Sequence, residues 1–153
     1  MRLLRFVLAL PVALVAFAQA PPSPAPAAPE AQLEDLLGRS TPYGTVTGFL
    51  KAVSGNDLPR AVQYLNVRGK NAQETAEQLK AVLDWGLSGN LASVSRNPEG
   101  KASDGLPAAR ERLGKVVTAA GELDIELERL EPKNALPIWL FSSQTLRDLP
   151  DTY

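Results

Sequence analysis

Apolar residues recur at helical spacing through the first half of this 153-residue chain. Thr41 followed by a proline is a typical helix start, because threonine can cap the first turn and proline suits its geometry. Apolar positions then repeat at intervals of three and four, which places them on one face of a helix. These positions are Val46, Phe49, Leu50 and Val53. The pattern predicts a helix that ends at 55–56.

Two further helices are predicted downstream. A short one follows Asn56 or Asp57, either of which can cap it. A longer one over 71–86 carries apolar or small residues along one face, and these are Ala72, Thr75, Ala76, Leu79, Val82, Leu83 and Gly86. A single helical turn is predicted over 91–94, and the stretch 97–105, rich in Pro, Gly, Asp and Ser, indicates a loop.

The second half of the chain changes to the alternation typical of a strand. Apolar and acidic residues alternate, which predicts one buried and one wet face; the apolar residues are Leu123, Ile125 and Leu127. A turn at 120–121 would pair this strand with one over 113–118 and set Val116 opposite Ile125. Arg129 falls at an apolar position, so we expect the strand to exit or bulge there.

The last apolar run completes the predicted fold. Leu136–Phe141 is apolar on both faces of a third strand, so we expect it to be central or covered. Ser142 or Ser143 can cap a closing helix over 144–149. Together the elements predict an α+β fold, with three N-terminal helices packed on a small antiparallel sheet of about three strands and a short C-terminal helix.

The N-terminus carries the pattern of a bacterial secretory signal. Arg2 and Arg5 precede an apolar run, Phe6–Ala18, that is shorter than the roughly 20 residues needed to span a bilayer. Small residues allow cleavage after Ala18 or Ala20, and we favour Ala18 because a proline directly follows the other site. We therefore expect export to the periplasm. Whether the signal is cut, or kept as a tether to the inner membrane, stays open.

Composition divides the chain and removes several classes of site. We place the signal at 1–18, a Pro/Ala-rich linker at 19–40 and a single α+β domain at 41–153. The chain has no Cys and no His, which excludes thiol nucleophiles, Ser-His-Asp catalysis and imidazole-bound metals. A net charge of −1 without a basic stripe argues against a nucleic-acid partner. We expect no cofactor, no metal and no membrane span in the mature chain.

Few polar residues are candidates for chemistry. An acidic row on the second predicted strand could bind a cation, but its side chains spread along a line, so a solvated sheet face is the better interpretation. The row is Glu122, Asp124, Glu126 and Glu128. The pairs Lys51–Ser54 and Lys101–Ser103 have no surrounding catalytic motif, and Asp84 is a lone carboxylate at a helix end. We therefore predict no catalytic residue and a protein that is not an enzyme.

Aromatic residues on helices and strands could line an apolar ligand pocket or fill the core. We favour the core, because their spacing is that of buried helix and strand positions. The residues are Phe49, Tyr64, Trp85, Trp139 and Phe141.

Several blocks in a fixed order resemble the exported N-terminal region of some proteobacterial MscS-type mechanosensitive channels. The main blocks are 41–50 (TPYGTVTGFL), 79–87 (LKAVLDWGL) and 136–153 (LPIWLFSSQTLRDLPDTY). Shorter blocks at 98–100, 104–106 and 124–129 lie between them. The resemblance implies a non-catalytic periplasmic module of an oligomeric channel, with the channel's membrane part or another copy of the chain as its partner. The chain carries none of the pore elements, so we expect it not to conduct ions by itself.

A second resemblance concerns the fold. The first two helices, the Gly-Asn-Asp joint between them and the following sheet are similar to the opening of NTF2-like domains. That likeness implies a free-standing periplasmic binding or interaction domain, with a concave apolar cavity bounded by the sheet and the first helix. Both functions stay open at this point.

Overall fold

The computed structural model describes residues 35–86, 91–118 and 121–149. The predicted signal, both predicted cleavage points and most of the predicted linker lie outside these residues. Within the described ranges the chain forms four α-helices, two short 3-10 helices and a three-stranded antiparallel sheet. The predicted α+β class is therefore confirmed.

The first helix, α1, spans Pro42–Ser54 and begins where the sequence predicts. The Thr41 hydroxyl oxygen accepts a hydrogen bond from the backbone N–H of Gly44 at 3.0 Å. This bond satisfies one of the N–H groups that the first turn of a helix leaves unpaired. Val46 and Phe49, on the predicted apolar face, are fully buried. The apolar spacing thus predicted both the helix and its inner face.

The second helical segment is shorter than the first. Helix α2 spans only Leu58–Ala61 and continues as a 3-10 helix over Val62–Tyr64. Asp57 caps it, since its carboxylate accepts from the backbone N–H of Arg60 at 3.1 Å. The expectation of three helices packed on the sheet is met only in part, because α2 is a single turn that packs against α1.

The third helix, α3, spans Ala72–Gly86 and matches the predicted range. Its apolar face is buried in the core through Ala76, Leu79, Val82 and Leu83. A 3-10 helix over Leu91–Ser93 follows, where the sequence predicts a helical turn.

The sheet has the order β1-β2-β3, with β2 in the centre. The strands are β1 at Arg110–Thr118, β2 at Gly121–Leu130 and β3 at Ile138–Phe141. Buried side chains on one sheet face join those of the helices in one hydrophobic core.

The register of the β1–β2 hairpin differs from the prediction. Val116 lies opposite Leu123, and not opposite Ile125 as predicted. Thr118 pairs with Gly121, so this glycine belongs to β2 and not to the turn. The error is an even number of residues, so Val116 still lies on its predicted, buried face.

The irregularity in the sheet lies in β1 and not in β2. The register shifts between Arg112 and Gly114, which makes this part of β1 a β-bulge. Strand β2 continues through Arg129, which pairs with Trp139 of β3. The predicted exit at Arg129 is wrong, because this half-buried side chain forms two hydrogen bonds with Glu99, at 2.8 and 3.1 Å.

Strand β3 is a covered edge strand. Leu65 forms a parallel bridge with Phe141 beyond the ladder to β2. The Thr45 hydroxyl of α1 donates to the backbone carbonyl of Trp139 at 2.8 Å. Because α1 lies over this strand, both of its faces can carry apolar residues, as the sequence indicates.

The last helix, α4, spans Ser143–Arg147 and is capped by Ser142, whose hydroxyl oxygen accepts from the N–H of Thr145 at 3.1 Å. The Thr145 hydroxyl also donates to the carbonyl of Asp124 at 2.9 Å and accepts from the N–H of Glu126 at 3.0 Å. One side chain therefore fastens α4 to the central strand.

Residues 35–40 correct the predicted boundary between linker and domain. The backbone N–H of Trp139 donates to the carbonyl of Arg39 at 2.7 Å, and the Arg39 guanidinium pairs with Asp35 at 2.8 Å. The Tyr64 hydroxyl donates to the carbonyl of Leu37 at 3.1 Å. These bonds hold the segment on the domain, so the domain includes residues before the predicted start at 41.

Candidate functional site

Most of the predicted aromatic residues are packed in the core. Phe49, Tyr64, Trp139 and Phe141 are each at most 1% exposed. The rings of Phe49 and Phe141 meet edge to face, with centroids 5.1 Å apart and an interplanar angle of 61°. The Tyr64 hydroxyl has its bond to residue 37, and the Trp139 Nε1–H donates to the carbonyl of Pro98 at 2.9 Å. With their polar edges satisfied, these rings fill the interior of the domain.

Trp85 was predicted with this group, and for Trp85 the prediction is wrong. Its side chain is 73% exposed. Helix α3 turns by about 100° per residue, so Trp85 lies roughly a third of a turn from the centre of the buried face. A tryptophan this exposed is not a core residue, and it is available for contact with another molecule.

The larger described clefts open on the outer surface. One has a volume of about 580 Å³ and lies beside α1 and α2, and others of about 390 and 330 Å³ lie beside the sheet. None of these three clefts is lined by Phe49, Trp139 or Phe141. Phe49, Trp139 and Phe141 lie in the hydrophobic core, whereas the buried Tyr64 also borders the cleft beside α1 and α2.

The acidic row on β2 is a face of ion pairs. Three of its carboxylates pair with basic side chains of β1, namely Glu122 with Lys115, Asp124 with Arg112 and Glu126 with Arg110, at 3.2, 3.3 and 3.0 Å. Glu128 accepts from the side-chain amide of Asn66 and the backbone N–H of Ser143, each at 2.7 Å. Across the described ranges, no group of three or more ligating side chains is placed to hold a metal ion.

Three of the other polar candidates, Asp57, Asp84 and Lys101, have structural partners. Asp57 caps α2, and the exposed Asp84 pairs with Lys80 one helical turn earlier. Lys51 and Ser54 are exposed on α1. The Lys101 ammonium donates to the carbonyl of residue 93 at 3.3 Å. Each interaction belongs to a helix, a cap or a loop, and none of them activates a nucleophile.

Sequence reasoning missed one buried carboxylate, Glu111 of β1, which is 1% exposed. Its Oε1 accepts from the backbone N–H of Ser95 at 2.8 Å, while Oε2 has no hydrogen-bond partner among the described residues. Burial raises the pKa of the Glu111 carboxyl and the nearby Asp104 raises it further, against the opposing effects of the Ser95 N–H and Lys101.

Glu111 lies beneath the loop between the second 3-10 helix and β1. A Cβ placed on Gly100 would lie 3.2 Å from its Oε2 and 2.8 Å from the Trp139 ring. The signal that could have found it is its position two residues before the buried Leu113, because alternate strand residues share a face. The predicted strand began at that leucine and so left the glutamate outside every predicted element.

None of the helices within the described ranges has the length and apolar character needed to cross a bilayer. Comparison of the chain with family models, with curated proteins and with solved structures found no match. What the protein does must therefore be inferred from its own residues.

Proposed function

We propose that this chain is a non-catalytic interaction module that works outside the cytoplasm of a bacterium. The observation that supports this best is that most of the polar side chains considered as catalytic candidates have structural roles. The candidate carboxylates and Lys101 serve as caps, ion pairs and loop anchors, and four of the five candidate aromatic residues are packed in the core. An acid, base or nucleophile with a second convergent group in a cleft would have favoured an enzyme.

Exposed apolar side chains support a role in contacts with another protein. Leu36 is 93%, Trp85 73% and Val117 69% exposed. Large apolar residues, and tryptophan in particular, are common anchors of protein interfaces. Buried in an interface, each would contribute apolar area that the free domain leaves in water.

The specific form of the proposal is the extracytoplasmic N-terminal module of an MscS-type mechanosensitive channel. The order and spacing of the resembling blocks support it, together with the export signal that the N-terminal sequence predicts. A module of this kind would be joined to the membrane part of the channel and would hold none of the pore itself.

Reading the coding DNA beyond the codon for Tyr153 tests this form directly. We expect a nearby frame that encodes several apolar stretches of about 20 residues each, since this is the length that spans a bilayer. A downstream region without such stretches would refute the channel form and leave the general interaction module standing.

A further inference from the structure

The central strand is longer than the strand that covers one of its sides. Strand β2 has ten residues, but β3 pairs only with the segment from Leu127 to Leu130. In the described part of the chain, no strand pairs with Gly121–Asp124 on that side. We call this segment the open edge.

Backbone directions along β2 follow from the bonds at the end of the β3 ladder. The carbonyl of Glu126 accepts from the N–H of Ser142 at 2.9 Å, and its N–H donates to the Thr145 hydroxyl at 3.0 Å. Alternate residues of a strand direct their backbone groups to the same side. The N–H and C=O of Glu122 and the N–H of Asp124 therefore point toward the open side of the sheet.

A groove runs along this edge. Its volume is about 390 Å³, within the range of sites that bind ligands. On one side it is bounded by β2, with the buried Leu123 among its lining residues, and on the other by Gln144, Thr145 and Asp148 of the α4 region. An extended chain in this groove would lie where β3 lies on the other half of β2.

The charged residues that line the groove are all acidic: Glu122, Asp124, Glu126 and Asp148. The basic partners of the first three come from β1, on the opposite side of β2. The side chains of Glu122 and Asp124 remain 66% and 44% exposed. A carboxylate has about four acceptor positions, so both groups can accept further bonds from the groove side.

We propose that the open edge binds an extended, basic segment of a partner protein by strand addition. Basic side chains of the bound strand face Glu122 and Asp124, and the apolar side chains between them face the Leu123 side of the sheet, because cross-strand neighbours share a face. A second copy bound through the same edge would set these carboxylates against each other. This inference rests on the proposed function and names the chemistry of the partner.

The test uses the full chain and a labelled peptide of about seven residues that alternates lysine and valine. Binding is followed by fluorescence anisotropy, and hydrogen exchange is measured at each backbone amide. We expect the amides of Glu122 and Asp124 to exchange at least about tenfold more slowly with peptide, because they enter a ladder. A peptide with glutamate in place of lysine should not bind.

Two variants distinguish the contribution of the acidic side chains to peptide binding from that of the backbone N–H groups. Glu122→Gln with Asp124→Asn should weaken peptide binding about threefold to tenfold, and Glu122→Pro should abolish it by removing one N–H of the edge. The control is Glu74→Gln with Glu77→Gln, which neutralises two carboxylates of another cleft, on helix α3. That variant should bind the peptide as the original protein does.

Binding with no slowing at Glu122 and Asp124, or equal losses in both neutralised variants, would overturn strand addition. If these amides already exchange slowly without peptide, another part of the chain or a second copy occupies the open edge, and strand addition by a partner is also overturned. A second copy is indicated if the slowing increases with protein concentration. None of these results bears on the DNA test, so the proposed function can survive the loss of this inference.

Discussion

Two glycines in the loop before β1 share a left-handed backbone and differ in their surroundings. Gly100 has a φ of +76° and Gly105 a φ of +74°. A Cβ on Gly100 would lie 2.8 Å from the Trp139 ring, whereas one on Gly105 would meet nothing within 4 Å. The pair therefore separates backbone strain from steric conflict.

We expect Gly105→Ala to lower the free energy of unfolding by about 1 kcal/mol, the cost of a left-handed alanine. Gly100→Ala should cost about 1–3 kcal/mol more, because the tryptophan beneath it is held in a filled core. Urea unfolding of both variants measures the difference. Equal losses would show that the loop does not rest on Trp139.

Glu111 makes the stability depend on pH. Burial raises its folded-state pKa above the ordinary value of a glutamate, so folding favours the protonated carboxyl. As the pH rises through the folded pKa, the original protein should lose stability relative to Glu111→Gln, which keeps an acceptor for Ser95. Below the unfolded pKa the difference should shrink.

Thermal unfolding of both proteins from pH 3 to pH 8 measures this trend. Glu111→Ala serves as the control, because it also removes the charge but leaves the Ser95 N–H without an acceptor. It should be less stable than Glu111→Gln by about 1–3 kcal/mol across the whole range. A glutamine variant less stable than the original at neutral pH would contradict the assignment of a penalised buried charge.

Residues whose role depends on near neighbours were predictable. The sequence alone identified three caps, namely Thr41, one of Asn56 and Asp57, and one of Ser142 and Ser143, since capping acts within one helical turn. Glu111 was not identified, because its burial depends on a loop that folds over β1 from elsewhere in the chain. Trp85 was assigned to the core with the other aromatic residues on the ground of spacing, although its position on α3 lies away from the buried face.

At the scale of elements, Thr145 joins α4 to β2. We expect Thr145→Val to lower the free energy of unfolding by about 1–3 kcal/mol, because the Asp124 carbonyl and the Glu126 N–H lose their partner. Thr145→Ser keeps the hydroxyl and should lose less. If serine and valine are equally destabilising in denaturant titrations, packing and not hydrogen bonding holds α4.

The contact between α3 and β1 depends on a glycine. A Cβ on Gly86 would lie 2.6 Å from Cγ1 of Val116. Gly86→Ala should therefore destabilise the domain by about 1–2 kcal/mol, despite the better helix propensity of alanine. The double variant with Val116→Ala should lose about 1 kcal/mol less than the sum of the losses in the two single variants. Strict additivity would show that these residues do not touch.

Helices were predicted more closely than strand pairing. The range of α3 follows from a 3.6-residue period that is complete within its own segment. The hairpin register instead depends on which residues form the turn, and a choice one residue too late moved the pairs from Gly114 to Thr118 by two residues. The bulge in β1 has no local sequence signal, because a bulge is defined by how the strand pairs with its neighbour.

At the scale of the whole molecule, structure and sequence bear on different questions. The α+β class and the covered third strand followed from hydrophobic periodicity. The groove beside β2 did not, because it exists only where β3 ends and α4 begins. Export, the channel role and the strand-addition partner remain proposals, and export is the one on which the others depend.

The most direct measurement of that claim is the location of the full chain in a Gram-negative host, by cell fractionation with intact-mass analysis. We predict that the protein is found in the periplasmic fraction or on the outer side of the inner membrane, and that a cleaved product begins at Gln19. A full-length protein confined to the cytosol would contradict an exported module.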